Sequence, residues 1–322
     1  MSTYLIYAIA AILAAFLLFI TLRLHRHDSK GAVTALVSLP LCVLLGFAFA
    51  KLFYVIYAFL KDIGYFIEWG AWDELAEDSL LNLKPKTFCF TGGAVGVWLG
   101  VRLSAKLTGN KPAASVLDAF TVPGALLIAG LRMAEVELGT LGTGRFIETP
   151  EGSSYLILAV FNQYGEAHTA VFVLEAIAAA AVALWSVADK NAPAGQRFRN
   201  AVFRLCLCQI LLENMRSQCM KWGFVRVEQL ICAVILMILT LAACIRTKKK
   251  PAVRFLPAGA MFLCIAAIVG TEFLRQRSPS YFMGTYGGYL MMGAILLVML
   301  LIYSRLVRQS ASSSSGKESS KG

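Results

Sequence analysis

Apolar runs about as long as a bilayer is thick recur along this chain, and no other feature narrows the possible folds as far. A helical membrane span needs about 20 predominantly apolar residues. Windows of that kind fall near 4–22, 33–59, 88–104, 115–134, 168–187, 201–215, 226–245, 254–271 and 286–304. The 201–215 window is the weakest, because Arg204, Gln209, Glu213 and Asn214 interrupt it, and the 33–59 window is long enough to tilt or to break near Pro40. Seven to nine spans is the resulting range. Composition agrees: 58% of the 322 residues are hydrophobic and 15% charged, with a mean hydropathy of +0.68, whereas soluble chains carry about 25% charged residues. The expectation is an all-α, polytopic transmembrane helical bundle, an integral membrane protein.

Basic residues set the orientation of such a bundle, since short loops rich in Lys and Arg stay cytoplasmic. One alternating set of loops and the tail holds 19 of them, and the other set holds 9. With an odd number of spans, the N-terminus lies outside and the Ser-rich C-terminal tail lies in the cytoplasm. The net charge of +11 is then mostly an inner-face property that attracts anionic lipid, and nucleic acid is not implied as a partner. No basic n-region or small-residue cleavage pattern marks a removable signal peptide. The eight cysteines fall mostly within spans, where Cys behaves as a small hydrophobe. Neither zinc spacing nor CxxC occurs, and Walker, Rossmann and HExxH patterns are missing. No metal and no cofactor are expected.

Against this background the polar residues near the outer ends of the spans stand out: Tyr4, Lys51, Thr91, Arg132, Glu135, Glu137, His168, Glu175, Glu213 and Arg216. Arg132 sits near the end of the apolar run 119–138. An arginine at the centre of a spanning helix costs about 2.5 kcal/mol or more, so such a residue faces a wet cavity or a paired carboxylate. Glu135, three residues on, shares its helical face. In the segment 88–107, Gly96 and Gly100 have the four-residue spacing of a helix-packing face. Gly92 and Gly93, at the outer start of that span, fit either the same packing or an anion held by helix N-terminal N–H groups.

The order of these motifs resembles the prolipoprotein diacylglyceryl transferases of bacterial inner membranes. The likeness runs from Tyr4 through the 45–59 segment, the Thr91-Gly92-Gly93 stretch, the Asp118–Pro123 turn into GLRMAEVELG, HTAVFVLE at 168–175, LLENMRSQ at 211–218 and VEQLICAVILMIL at 227–239. It implies a multi-pass protein of the bacterial cell membrane that moves the diacylglyceryl group of phosphatidylglycerol, or of a related anionic lipid, to the lipobox cysteine of a prolipoprotein signal peptide. A thiolate displaces glycerol phosphate in that reaction, so the site calls for cations around phosphate and a group that favours thiolate. Arg132 and Arg216 match the family's central and late arginines, and either could hold a phosphate bidentately. Tyr4, Lys51, Thr91, Gly92, Gly93 and Glu213 stand as substrate-binding candidates. Seven spans are family-like, and two C-terminal spans are additional. The chain divides accordingly into 1–248, 249–308 and a disordered Ser-rich tail, 309–322.

Departures from the family pattern fall at polar positions. Thr91 stands where the family has histidine before the glycine pair, and a threonine hydroxyl cannot take a proton near neutral pH. Glu135 stands where an amide is usual. Either Glu135 acts as the base, with His168 as a second candidate, or Arg132 and Glu135 simply neutralise each other. Glu272 and Arg275 echo the spacing of Glu213 and Arg216, but His168 and Glu175 precede the latter pair at the family's distance. Two readings from other classes stay open: a non-catalytic protein of the same fold that binds anionic lipid or lipoprotein, and, further off, a small-solute transporter.

Overall fold

The computed structural model of the chain describes residues 3–26, 29–63, 82, 87–109, 113–135, 142–146, 158–161, 165–189, 192–217, 219–222, 225–247, 250–277 and 287–315. Helices dominate: α1 Thr3–Arg26, α2 Ser29–Lys61, α3 Phe90–Leu107, α4 Ala113–Met133, α5 Val171–Ala188, α6 Gln196–Glu213, α7 Val227–Arg246, a single turn α8 Pro251–Arg254, α9 Leu256–Arg277 and α10 Gly288–Ser315. Each apolar window of the sequence coincides with one of the long helices. Six of them, α2, α4, α5, α7, α9 and α10, are long and apolar enough to cross a membrane among the described residues. The chain is a multi-pass, integral membrane protein. In α1 the apolar stretch narrows to Ile9–Leu22, while α3 carries Arg102 and Lys106, and α6 carries Arg197, Arg199 and Arg204. Pro40 does not break α2, which runs unbroken for 33 residues.

The helices gather into two compact units, one formed by Met1–Ala201 with Leu212–Glu228, the other by Val202–Leu211 with Gln229–Gly322. In the first unit α2 and α3 lie against each other with glycine on both sides. A Cβ on Gly96 would collide with the Leu45 carbonyl, one on Gly100 would come within 2.9 Å of the Cys42 backbone, and one on Gly46 within 3.1 Å of Val97. Small residues thus let two backbones approach, as helix association in lipid favours. A core of Leu18, Leu22, Val101, Ala105 and Val116 seals this end. α4 packs on α1 and α5. The Asp118 carboxylate accepts from Gly195 N (2.5 Å) and Phe198 N (2.9 Å), so a neighbouring helix supplies the N-terminal cap that Gly195, at φ +77°, lacks as a side chain.

The second unit is built on Phe203, Leu236, Met261, Met299 and Tyr303, all nearly inaccessible. The rings of Phe203 and Tyr303 stack at 3.8 Å. Leu263 and Leu290 are more than two-thirds exposed, as are Leu36 and Leu184 in the first unit, which suits faces solvated by hydrocarbon.

Three features go beyond the sequence reading. Between the helices lie two short antiparallel strand pairs, β1 Ala159–Phe161 with β2 Ala167–Thr169, and β3 Lys221–Trp222 with β4 Val225–Arg226. α10 continues past residue 309 to Ser315, because neither glycine nor proline interrupts the run before Gly316 and a formed helix propagates cheaply. The compact units divide within α6 and at Glu228.

Candidate functional site

Arg132 is the penultimate residue of α4, with its side chain 2% exposed, the largest nearly inaccessible side chain among the described residues. Its Nη1 donates to Glu135 Oε1 at 2.5 Å, its Nε lies 3.2 Å from Glu175 Oε2, and its Nη2 lies 3.9 Å from Glu228 Oε2. The guanidinium also lies 3.6 Å from the centre of the Phe90 ring, a face that favours cations. Glu135 reaches it because α4 tightens at Ala134 and Glu135 into a single 3₁₀ turn, which keeps residues three apart on one side.

Arg216, in the segment after α6, completes the arrangement. Its Nη2 donates to Glu135 Oε2 and its Nη1 to Glu175 Oε2, both at 2.8 Å. The two guanidiniums therefore share two carboxylates. Glu175 comes from the first turns of α5 and Glu228 from the start of α7, and both are buried. Buried ions persist only when paired and hydrogen-bonded. Nearby Arg226 donates from Nη1 to the Glu213 and Arg216 carbonyls and to Cys219 Sγ, which holds the loop carrying Arg216 in place. Burial pushes the Cys219 thiol up, against the pull of Arg226, so this sulfur is a thiol at neutral pH.

The N-terminus of α3 closes the other side. Glu228 Oε1 accepts from Phe90 N (2.9 Å) and faces Cys89 Sγ (3.7 Å). Cys89 is the N-cap residue of α3, and its sulfur accepts from Gly92 N (3.5 Å) and contacts Thr91 Oγ1 at 3.2 Å. Thr91 is buried. Gly92 and Gly93 pack closely against α2. A Cβ on Gly92 would come within 2.8 Å of the Phe49 carbonyl and Phe53, and one on Gly93 within 3.4 Å of Ala50.

Of the other expected site residues, Lys51 is buried. Its Nζ donates to the carbonyls of Asn82 and Thr87 and to Thr87 Oγ1, and lies 4.8 Å from the Phe88 ring centre. It ties the segment before α3 to α2. His168, on β2, contacts the Gly144 carbonyl through Nδ1 (3.3 Å), Glu166 (3.9 Å) and the Phe146 ring, and these contacts lie in the hairpin region. Glu213 is buried beside the loop of Arg216, with its carbonyl engaged by Arg226. Tyr4 lies in α1, but its side chain falls outside the described ones, as does Glu137 altogether.

The structure brings the candidates Arg132, Glu135 and Arg216 into contact, and adds Glu175, which the sequence marked as a polar residue without a role. Glu228, Cys89 and Phe90 were missed. A glutamate in the first turn of a span two residues after an arginine, as in Val225-Arg226-Val227-Glu228, was the available signal. Among the described residues, no group of His, Cys, Asp and Glu could hold a metal ion. Comparisons of the chain with protein-family models, with curated proteins and with solved structures find no match.

Proposed function

We propose that this chain is a lipid-dependent transferase, moving a diacylglyceryl group from phosphatidylglycerol or a related anionic lipid to the lipobox cysteine of a prolipoprotein. In this reading the protein sits in a bacterial inner membrane, spans it nine times, and places its N-terminus outside and its C-terminus in the cytoplasm. The single observation that supports it most is the sharing of carboxylates by Arg132 and Arg216. Two guanidiniums that close on one carboxylate are spaced to close on one phosphate, which offers the same oxygen acceptors with more charge. Glu135 and Glu175 then act as placeholders that keep the cations paired until lipid enters, and displaced glycerol phosphate leaves with its charge held by the same pair.

A non-catalytic lipid- or lipoprotein-binding role is the second reading. It is favoured by the position of Glu135, whose two oxygens are both occupied by guanidiniums, a poor arrangement for a base. Complementation separates the two. Expressed in cells depleted of their own diacylglyceryl transferase, the chain should restore lipoprotein acylation, and Arg132→Ala and Arg216→Ala should each abolish the rescue. Stable expression of the unmutated chain without any acylated lipoprotein would discard the transferase reading and leave the binding one.

A further inference from the structure

The thiol of a transfer acceptor has to lose its proton, and Thr91 has no capacity to take one near neutral pH. The buried carboxylates are not equivalent in this respect. Glu135 contacts the two guanidiniums at 2.5 and 2.8 Å, and Glu175 contacts them at 3.2 and 2.8 Å. Glu228 stands further back, 3.9 Å from Arg132, and turns its other oxygen toward the N-terminus of α3. There it already faces a sulfur, Cys89 Sγ at 3.7 Å, which in turn touches Thr91 Oγ1. This carboxylate oxygen, which also accepts from Phe90 N (2.9 Å), is thus already in contact with a thiol.

We propose that Glu228 is the proton acceptor of the transfer reaction, an inference that rests on the transferase reading above. The acceptor's S–H proton passes to the Glu228 carboxylate while the sulfur lone pair forms a bond to the terminal glyceryl carbon of the diacylglyceryl group. The bond between that carbon and the phosphate oxygen breaks, and its electron pair departs with glycerol phosphate beside Arg132 and Arg216. Glu228 then returns the proton to water.

The test uses the full chain in vesicles of phosphatidylglycerol, with a synthetic lipobox peptide carrying one cysteine. Initial rates of thioether formation are followed across the pH range in which a free thiol ionises, around pH ~8.5. Glu228→Gln should slow transfer at neutral pH by roughly 100-fold or more. Its rate should then climb about tenfold per pH unit below the thiol's own ionisation near ~8.5, because solution hydroxide supplies the thiolate the carboxylate no longer makes. The unmutated chain should show a much flatter profile, and Glu228→Asp should recover much of the neutral-pH rate. A Gln variant that transfers as fast as the unmutated chain overturns the proposal and leaves the transferase reading standing. So does a Gln variant that is slow at every pH, which would mark Glu228 as purely structural. An unmutated chain with no transfer at any pH removes the transferase reading, and this assignment with it.

Discussion

At the scale of single residues, the centre around Arg132 shows why intramembrane charge is costly to remove on one side only. Arg132→Met keeps much of the volume but leaves Glu135, Glu175 and Glu228 facing one another without this cation. The expected cost is about 3–5 kcal/mol, read as a fall in thermal stability of the purified protein in detergent. Adding Glu175→Gln should return part of it, since one uncompensated charge goes too. Losses that simply add in the double variant would show that the pair is not coupled. Part of this centre was legible from the chain alone. The Arg132 and Glu135 spacing implied contact, and the contact is there at 2.5 Å. Glu228 was not legible, because 93 residues separate it from Glu135 in the sequence and the two meet only through Arg132 in the folded chain. Cys89 was passed over because a cysteine beside phenylalanines reads as packing, while its use as a helix cap depends on backbone angles.

At the scale of elements, hydropathy made the long helices readable, since each must match a fixed hydrocarbon thickness. The hairpins were not readable: strands of two or three residues are too short to show alternation. Glycine spacing in α3 announced a packing face, and the structure identifies α2 as what it packs on. A side chain at Gly96 has no room, so Gly96→Leu should force α2 and α3 apart and lower stability by about 1–3 kcal/mol or more. Gly270 in α9 has nothing within 4 Å of a Cβ. There Gly270→Ala should leave stability unchanged or raise it by about 0.5–1 kcal/mol. Thermal unfolding of the two variants side by side is the measurement, and equal effects would mean that the α2 and α3 approach is not tight.

At the scale of the whole molecule, the asymmetry of basic residues carries the proposed orientation. A C-terminal fluorescent-protein fusion should glow and a C-terminal alkaline phosphatase fusion should be inactive, as befits a cytoplasmic tail; the opposite pair of results would invert the topology. The shared carboxylates have a further consequence for how the chain is made. Glu175 enters the bilayer with α5, after Arg132 has arrived with α4 but before Arg216 and Glu228 have been synthesised. An acid at a span's centre opposes insertion by about 2.5–3.5 kcal/mol; Glu175, in the first turns of α5, costs less than that, and the apolar remainder of α5 must outweigh it. The centre can close only after the start of α7 has left the ribosome. Biogenesis is thus obliged to carry an unfinished ionic core through several rounds of insertion, and a chain stalled before Glu228 would present that core to quality-control proteases incomplete.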